Sequence, residues 1–342
     1  MRAVRLIAPG LPLEEREVPM PEVAAGEVLV EIRAAGVCHS DAHYRRGGPT
    51  LGLLPLTLGH EVAGVVREHG EGVERPQKGE RVAIHYLRSC GICRACRVYG
   101  EQFCSTVAMI GKDIDGGYAD FIAVPAMNAL SLPEELSFAE GAVLMCSGAT
   151  AFHALALADP AAGESIAIFG LGGLGIAAIQ LAQRFSPGAL FGVDVVDHKI
   201  ALAIRLGAAG IDARNDSAAE IRLQTGGAGV DIAIELVGHP ESMSAAVRSL
   251  APKGRAVLAG ISRQPIPFDP YRDLLGKEAR IIGCSDHLRQ ELDELMELAS
   301  QRVIDPGRIV SATIPLSAEA INETLDALDR GTAAVRTVIV RD

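Results

Sequence analysis

Residues 165–175 read Ser165-Ile166-Ala167-Ile168-Phe169-Gly170-Leu171-Gly172-Gly173-Leu174-Gly175. A short apolar run, read as a strand over Ser165–Phe169, passes directly into G-x-G-x-x-G and then into a predicted helix over Gly173–Phe185. The glycine pattern alone is weak, but strand, turn and helix in that order are the context a dinucleotide-binding turn requires. Gly170 would permit the tight turn, and Gly172 would let the backbone approach a pyrophosphate. Gly175 would let the helix pack closely on the strand, while the helix N-terminus offers N–H donors and a partial positive charge. The alternative is a glycine turn with a structural role only. An acidic residue should close the next strand, and Asp194 follows the apolar Ala189–Val193. Its carboxylate can accept from an adenosine ribose diol and would repel a 2′-phosphate, which predicts NAD(H) over NADP(H).

Outward from this stretch, strand and helix keep alternating. A helix is predicted over Val196–Leu206, and buried strands over Val230–Leu236, Arg255–Ala259 and Arg280–Cys284. Near-continuous apolar strands alternating with helices indicate a parallel sheet covered on both faces. Upstream the rhythm differs. Glu27–Arg33, Glu61–Glu68 and Arg81–Tyr86 are short β-type runs broken by glycine and proline, which reads as antiparallel sheet with loops. The tail carries two helical stretches, Arg289–Gln301 and Ser317–Asp329, and a last strand at Arg336–Val340. The fold class is therefore α/β, a mostly-β domain joined to a doubly wound parallel-sheet domain.

A chain of 342 residues suits about two domains. The formal net charge of −11 argues against broad nucleic-acid or anionic-membrane binding. Tryptophan is absent and aromatics are 4%, so stacking on single-stranded bases is disfavoured too. Residues 1–10 lack a basic segment followed by an apolar run, and no uninterrupted apolar stretch approaches the roughly 18 residues a membrane span needs. A soluble cytoplasmic protein is expected, with no membrane or nucleic-acid partner.

Four of the seven cysteines, Cys90, Cys93, Cys96 and Cys104, follow C-x2-C-x2-C-x7-C. Four thiolates so close can surround one Zn²⁺ tetrahedrally at roughly 2.3 Å and leave no position for water, a structural site. A disulfide framework is the alternative, but a long chain with few cysteines and no secretory signal fits metal ligation better. Cys38, Cys146 and Cys284 remain. Cys38 lies in Gly36-Val37-Cys38-His39-Ser40-Asp41-Ala42-His43, and His60 in Gly59-His60-Glu61. Two thiolates and one imidazole would give zinc three protein ligands and an open fourth place. Spacing cannot establish that set, because the three come from distant segments, and Cys146 taken singly reads as a buried, apolar-like residue.

In combination these motifs, over essentially the whole chain, resemble the zinc-containing medium-chain alcohol dehydrogenases. The resemblance rests on G-V-C-H-S-D at 36–41, G-H-E at 59–61, the four-cysteine lobe, Cys146, the glycine turn and Asp194. It implies a GroES-like catalytic domain over 1–148 with a zinc lobe at about 88–106. A Rossmann NAD-binding domain over 149–285 and a return to the catalytic domain over 286–342 complete it, with the active site between the domains. It implies Cys38, His60 and Cys146 as catalytic zinc ligands, the Cys2His set of that family. Two Zn²⁺ per chain follow, one catalytic and one structural, beside NAD(H). Cys284 is left as a packed thiol at a strand end.

The implied activity is hydride transfer between NAD(H) and a small primary or secondary alcohol, or the matching aldehyde or ketone (EC 1.1.1.-, with 1.1.1.1 favoured). Zinc would make an alkoxide accessible near neutral pH. Ser40 would contact the substrate oxygen, and His43 would pass the proton to solvent by way of the cofactor ribose. Ser40 could equally be the N-cap of a short helix, and His43 a surface histidine. Asp41 is read as the residue orienting His60, with Glu61 in support. The resemblance further places His39 and Arg336 near the pyrophosphate and Lys199 near the ribose. It sets Leu174 and Thr150 at the nicotinamide, and Tyr86 and Ile261 in the substrate pocket. Tyr86 stands where relatives often have tryptophan, and residues 283–288 depart from the usual glycine-containing turn, which bears on cofactor and subunit contacts. The resemblance implies a homo-oligomer, a tetramer before a dimer. A zinc polyol dehydrogenase and a non-catalytic zinc-stabilised binding protein are the competing readings.

Overall fold

In the computed structural model, which describes residues 1–47 and 51–341, Ser165–Phe169 is a strand buried on both faces. It pairs in parallel with Ala189–Asp194 on one side and Val230–Glu235 on the other. The full parallel sheet runs Ala209–Asp212, Ala189–Asp194, Ser165–Phe169, Val230–Glu235, Leu250–Leu258, Arg280–Gly283. Chain order therefore reverses direction across Ser165–Phe169 and Val230–Glu235, the crevice position where such sheets bind nucleotides. Ala167, Phe169, Phe191, Val193, Ile211 and Val230 fill one of its hydrophobic layers. Each large aliphatic or aromatic side chain so buried contributes about 1.5–3 kcal/mol.

The predicted elements recur with shifts at their ends. The helix after the glycine turn is α-helical over Gly173–Ala182 and tightens to 3₁₀ over Gln183–Phe185. Arg255–Ala259 turns out to be the second half of a longer strand, Leu250–Leu258, whose pairing is irregular near Val230 and whose Lys253 has φ 65°.

The chain divides into two compact units. One comprises Met1–Cys146, Leu288–Arg302 and Pro306–Asp342; the other comprises Ser147–His287 and Val303–Asp305. The first is built on Glu27–Val37, an eleven-residue strand that pairs antiparallel with Glu61–His69, Phe121–Pro125 and Thr337–Val340. Register shifts near Leu29 and Ile32 bend the strand. Pairing of Gly36 with Glu61 brings the segment ahead of Cys38 beside the one following His60. Leu6, Ile32, Leu58, Ile84, Ile110 and Tyr118 are fully buried in this unit.

The helical run Phe138–Ala158 passes the length and mean-hydropathy test for a membrane span, although Glu140, Ser147, Thr150 and His153 interrupt its apolar residues. Its most apolar window is 78% buried inside the protein, which marks it as a core helix.

Candidate metal and dinucleotide sites

Cys38 ends the Glu27–Val37 strand and begins the short helix His39–Arg45. The N-cap of that helix is Cys38, which corrects the alternative of Ser40 as cap. Asp41, three residues on, accepts from the Cys38 backbone N–H at 2.9 Å, so the acid supplies half of a capping box. The same carboxylate oxygen accepts from the Tyr118 hydroxyl at 2.8 Å. The other oxygen lies 3.3 Å from His60 Nδ1, close enough for strong electrostatic attraction but not aligned as a hydrogen bond. Asp41 thereby joins Cys38, His60 and Tyr118, all buried. Tyr118 carries no signal in the sequence; it comes from Gly116-Gly117-Tyr118, remote in the chain from Asp41.

One ligand atom from each of Cys38, His60, Glu61 and Cys146 falls within 4.8 Å of every other, and all four residues are buried. Ligands bonded to zinc at roughly 2.0–2.3 Å lie about 3.3–3.8 Å apart. A small inward movement converts the observed spacing into coordination. His60 Nε2 is buried without a hydrogen-bond partner, an arrangement that costs free energy unless something binds it. The charge balance points the same way: the Glu61 carboxylate and the Cys38 and Cys146 thiols face the Arg336 guanidinium, and Asp41 adds a second carboxylate beside His60. That guanidinium lies 3.4 Å from Glu61 and donates to Val37 O at 2.9 Å.

Titration in the cluster reflects this crowding. Cys38 is drawn well below the ordinary thiol range, first because Cys146 donates to it, with Arg336 and His60 assisting against burial. Cys146 is pushed up by that same donation and by burial. Burial opposes charging of His60, but the Asp41 carboxylate outweighs it and draws the imidazole well up. Glu61 rises to about 7, chiefly through burial, with Arg336 pulling back. A divalent cation would resolve this competition for protons, since its ligands bind it deprotonated. The donor set fits zinc.

Ser40 Oγ lies 3.7 Å from Cys38 Sγ. His43 stands outside the cluster, stacked parallel on His39 with ring centroids 4.8 Å apart, and Arg46 donates to its Nδ1 at 2.9 Å. Burial, then the charges of His39 and Arg46, lower the His43 pKa. Tyr86 is buried and meets His60 edge-on at 5.2 Å.

In the four-cysteine lobe the sulfurs stand 3.5 Å (Cys93–Cys96), 3.6 Å (Cys90–Cys104) and 3.9 Å (Cys90–Cys96, Cys93–Cys104) apart. A disulfide needs about 2.05 Å, and all seven cysteines are free. The separations straddle the edge of about 3.8 Å expected for a ZnS₄ tetrahedron. Backbone N–H groups of Cys90, Cys93 and Cys96 donate to the sulfurs of Cys104, Cys90 and Cys93. The Cys90 N–H is the first cause of Cys104 falling to about 6. Cys284 joins neither cluster; it is half-buried after Arg280–Gly283.

The second unit carries the glycine turn. A Cβ on Gly175 would lie 1.8 Å from Gly170 O, so no side chain fits there, whereas a Cβ on Gly172 would meet nothing within 4 Å. One glycine serves packing and the other leaves open space over the turn, the division expected where a phosphate approaches. The Gly173–Ala182 helix has no side-chain cap, leaving its first N–H groups for a ligand. Asp194 accepts from Leu171, Val195 and Val196 N–H at 2.7, 2.8 and 2.9 Å, so it holds the glycine turn as well as closing its strand. Lys199 is half-buried on Asp197–Arg205, Leu174 half-buried, Thr150 buried on Ala149–Ala158, and Ile261 exposed.

Residues 24–134 match the family described as "Alcohol dehydrogenase GroES-like domain", and residues 173–301 match "Zinc-binding dehydrogenase". An alcohol dehydrogenase of Geobacillus stearothermophilus is 35% identical over 335 residues, 97% of either chain. The chain belongs to the zinc-containing medium-chain alcohol dehydrogenase family. An NAD-dependent alcohol dehydrogenase of Sulfurisphaera tokodaii is 34% identical over 99% of this dehydrogenase and 100% of its own length. The crystal structure of the alcohol dehydrogenase of Aeropyrum pernix superposes with TM-score 0.91 at 33% identity, covering both chains fully. The expected fold, a GroES-like domain plus a Rossmann domain, is the fold of this dehydrogenase.

Proposed function

We propose that this chain oxidises small primary or secondary alcohols, or reduces the matching carbonyls, with NAD(H). The buried, electron-rich cluster of Cys38, His60 and Cys146 carries this reading. These three would hold a catalytic Zn²⁺, and Cys90, Cys93, Cys96 and Cys104 a second, structural one. When bound, zinc would supply Lewis acidity toward the alcohol oxygen and NAD⁺ the hydride acceptor.

The remaining work falls to the chain. Asp41 would hold the His60 ring by charge at Nδ1, leaving Nε2 for the metal, and the Tyr118 hydroxyl anchors Asp41. Arg336 and Glu61 set the local charge. Ser40 Oγ would receive the hydroxyl proton, and His43 would hold a proton at a ring nitrogen before release to water. Gly170, Gly172 and Gly175 would seat the pyrophosphate, and Asp194 would accept from the ribose. His39, Lys199, Leu174, Thr150, Tyr86 and Ile261 keep the supporting roles the family resemblance implies.

Metal analysis combined with an alcohol and carbonyl panel, assayed with both nicotinamides, tests the reading. Two zincs per chain, one lost in Cys146→Ser together with turnover, are expected. Full turnover by a Cys146→Ser protein that has lost that zinc would overturn it.

A further inference from the structure

The second unit contains a cavity of about 380 Å³ that the dinucleotide site does not use. Asp216, Arg222, Arg248, Arg272, Asp273 and Lys277 bring every charge to its wall. Arg248 and Lys277 lie just before the N-terminal ends of Leu250–Leu258 and Arg280–Gly283. The glycine turn, by contrast, leaves the C-terminal end of Ser165–Phe169. In a parallel sheet those are opposite ends of the strands.

The two acids are already committed. Asp216 caps the Ser217–Gln224 helix through Ala219 N–H at 3.2 Å and faces Arg248 at 3.3 Å. Asp273 accepts from Asp269 N–H at 3.0 Å and faces Arg272 Nε at 3.1 Å. Arg222 and Lys277 are left, and among the described residues neither has a carboxylate within ion-pair distance. Both meet main-chain oxygens instead: Arg248 O accepts from Arg222 Nη2 at 2.7 Å and from Lys277 Nζ at 3.1 Å, and Arg222 also reaches Leu250 O at 3.2 Å and Gly227 O at 3.4 Å. Two cations sharing a carbonyl in a half-buried wall repel each other, and a dianion placed between them would remove that cost.

We propose that this cavity binds a phosphate dianion, free or as a small phosphomonoester, between Arg222 and Lys277, with Arg272 supplying Nη1 while its Nε and Nη2 stay on Asp273. A guanidinium fork beside a lysine point charge suits phosphoryl oxygens. The volume lies within the range of small-molecule pockets, roughly 300–1,000 Å³, and leaves room for a short carbon skeleton. Burial, then the Arg222 charge, with Arg272 adding and Asp273 pulling back, pushes the Lys277 ammonium down to about 8. Phosphate gains its second charge near pH 6, so affinity should peak between about 6 and 8 and fall on either side.

Calorimetric titration of zinc-loaded, NADH-saturated protein with inorganic phosphate and with glycerol 3-phosphate tests the site at fixed ionic strength. Saturable binding is expected, weakened roughly tenfold or more in Lys277→Gln and in Arg272→Gln, and retained in Lys277→Arg. The tighter of the two probes identifies the source of the phosphate. Arg272 is largely exposed, so its variant reports even if Lys277→Gln folds poorly. No saturable binding, or binding unchanged in a folded variant, would overturn the site.

Discussion

Asp194 shows how a single side chain can carry two burdens that mutation must separate. Its carboxylate is proposed to accept from the adenosine ribose, and it already accepts three backbone N–H groups, one from the glycine turn. Replacing it by glycine would loosen the turn and weaken both cofactors, blurring any statement about preference. Asp194→Asn keeps an acceptor and removes the charge that repels a 2′-phosphate. We expect the NAD⁺ to NADP⁺ ratio of kcat/KM to fall by roughly tenfold, the scale of one charge-assisted contact. A ratio unmoved by the change would remove Asp194 from cofactor selection. His43 yields a pH prediction. Its pKa lies below the ordinary 6.5 because of burial, with the His39 and Arg46 charges adding. A neutral imidazole is the form that can take a proton, so the acid limb of kcat/KM should sit below pH 6.5 and activity should rise through it. Arg46→Gln removes one depressing charge, so the limb should move up in pH; a limb that stays in place, or moves down, contradicts the relay. The candidate metal residues were legible only through the family resemblance, because Cys38, His60 and Cys146 come from distant segments and no spacing rule joins them. Tyr118 and Arg46 were not, since their roles arise from approach in space and follow no spacing rule.

Elements were legible in proportion to how much of their pattern is local. Ser165–Phe169 is an apolar run ended by glycine, and strand and prediction coincide. Ala209–Asp212 is too short to show alternation, and its flanking helix Ser217–Gln224 buries only Ser217, Ala218 and Ile221, which leaves little periodicity to read. Leu250–Leu258 was half-read because Pro252, Lys253 and Gly254 interrupt it, yet pairing with Val230–Glu235 resumes beyond the irregularity. The His39–Arg45 helix hid its start because cysteine is not a residue one expects at an N-cap. The strand-turn-helix around the glycines permits an exacting test. Gly175→Ala would set a methyl 1.8 Å from Gly170 O, a backbone atom that cannot step aside without opening the turn. We expect NADH affinity, read by fluorescence titration, to fall at least tenfold. Stability should drop by about 1–3 kcal/mol, the usual cost of overpacking. Gly172→Ala, which meets nothing in the protein, should fold normally and lose only NADH affinity. If both variants bound NADH normally, the turn would be structural alone.

At the scale of the whole molecule the chain builds two units with separate cores, and each unit carries the residues proposed for one kind of ligand. Cys38, His60, Cys146 and the cysteine lobe all belong to the first unit, while the glycine turn and Asp194 belong to the second. In the sequence the rhythm changes from antiparallel to alternating near the break between the units at Cys146 and Ser147, and in the tail Thr337–Val340 pairs with Glu27–Val37. Ligands that bind only folded protein stabilise it by mass action, about 2.7 kcal/mol at a hundredfold excess over Kd. The protection should follow the unit that holds the ligand. Hydrogen exchange on zinc-loaded protein should show NADH slowing amides around Phe169–Ala182 and Asp194, with little change at Glu27–Val37. Stripping zinc with a chelator should reverse the pattern, exposing Cys38–Arg45, Glu61–His69 and the lobe around Cys90–Cys104 while the parallel sheet stays protected. The lobe should open first, because Cys90 is exposed whereas Cys38, His60 and Cys146 are all buried. Turnover should therefore persist through the first loss of metal and disappear with the second. If instead activity vanished with the first zinc while Cys38–Arg45 stayed protected, the assignment of catalytic and structural sites would have to be exchanged.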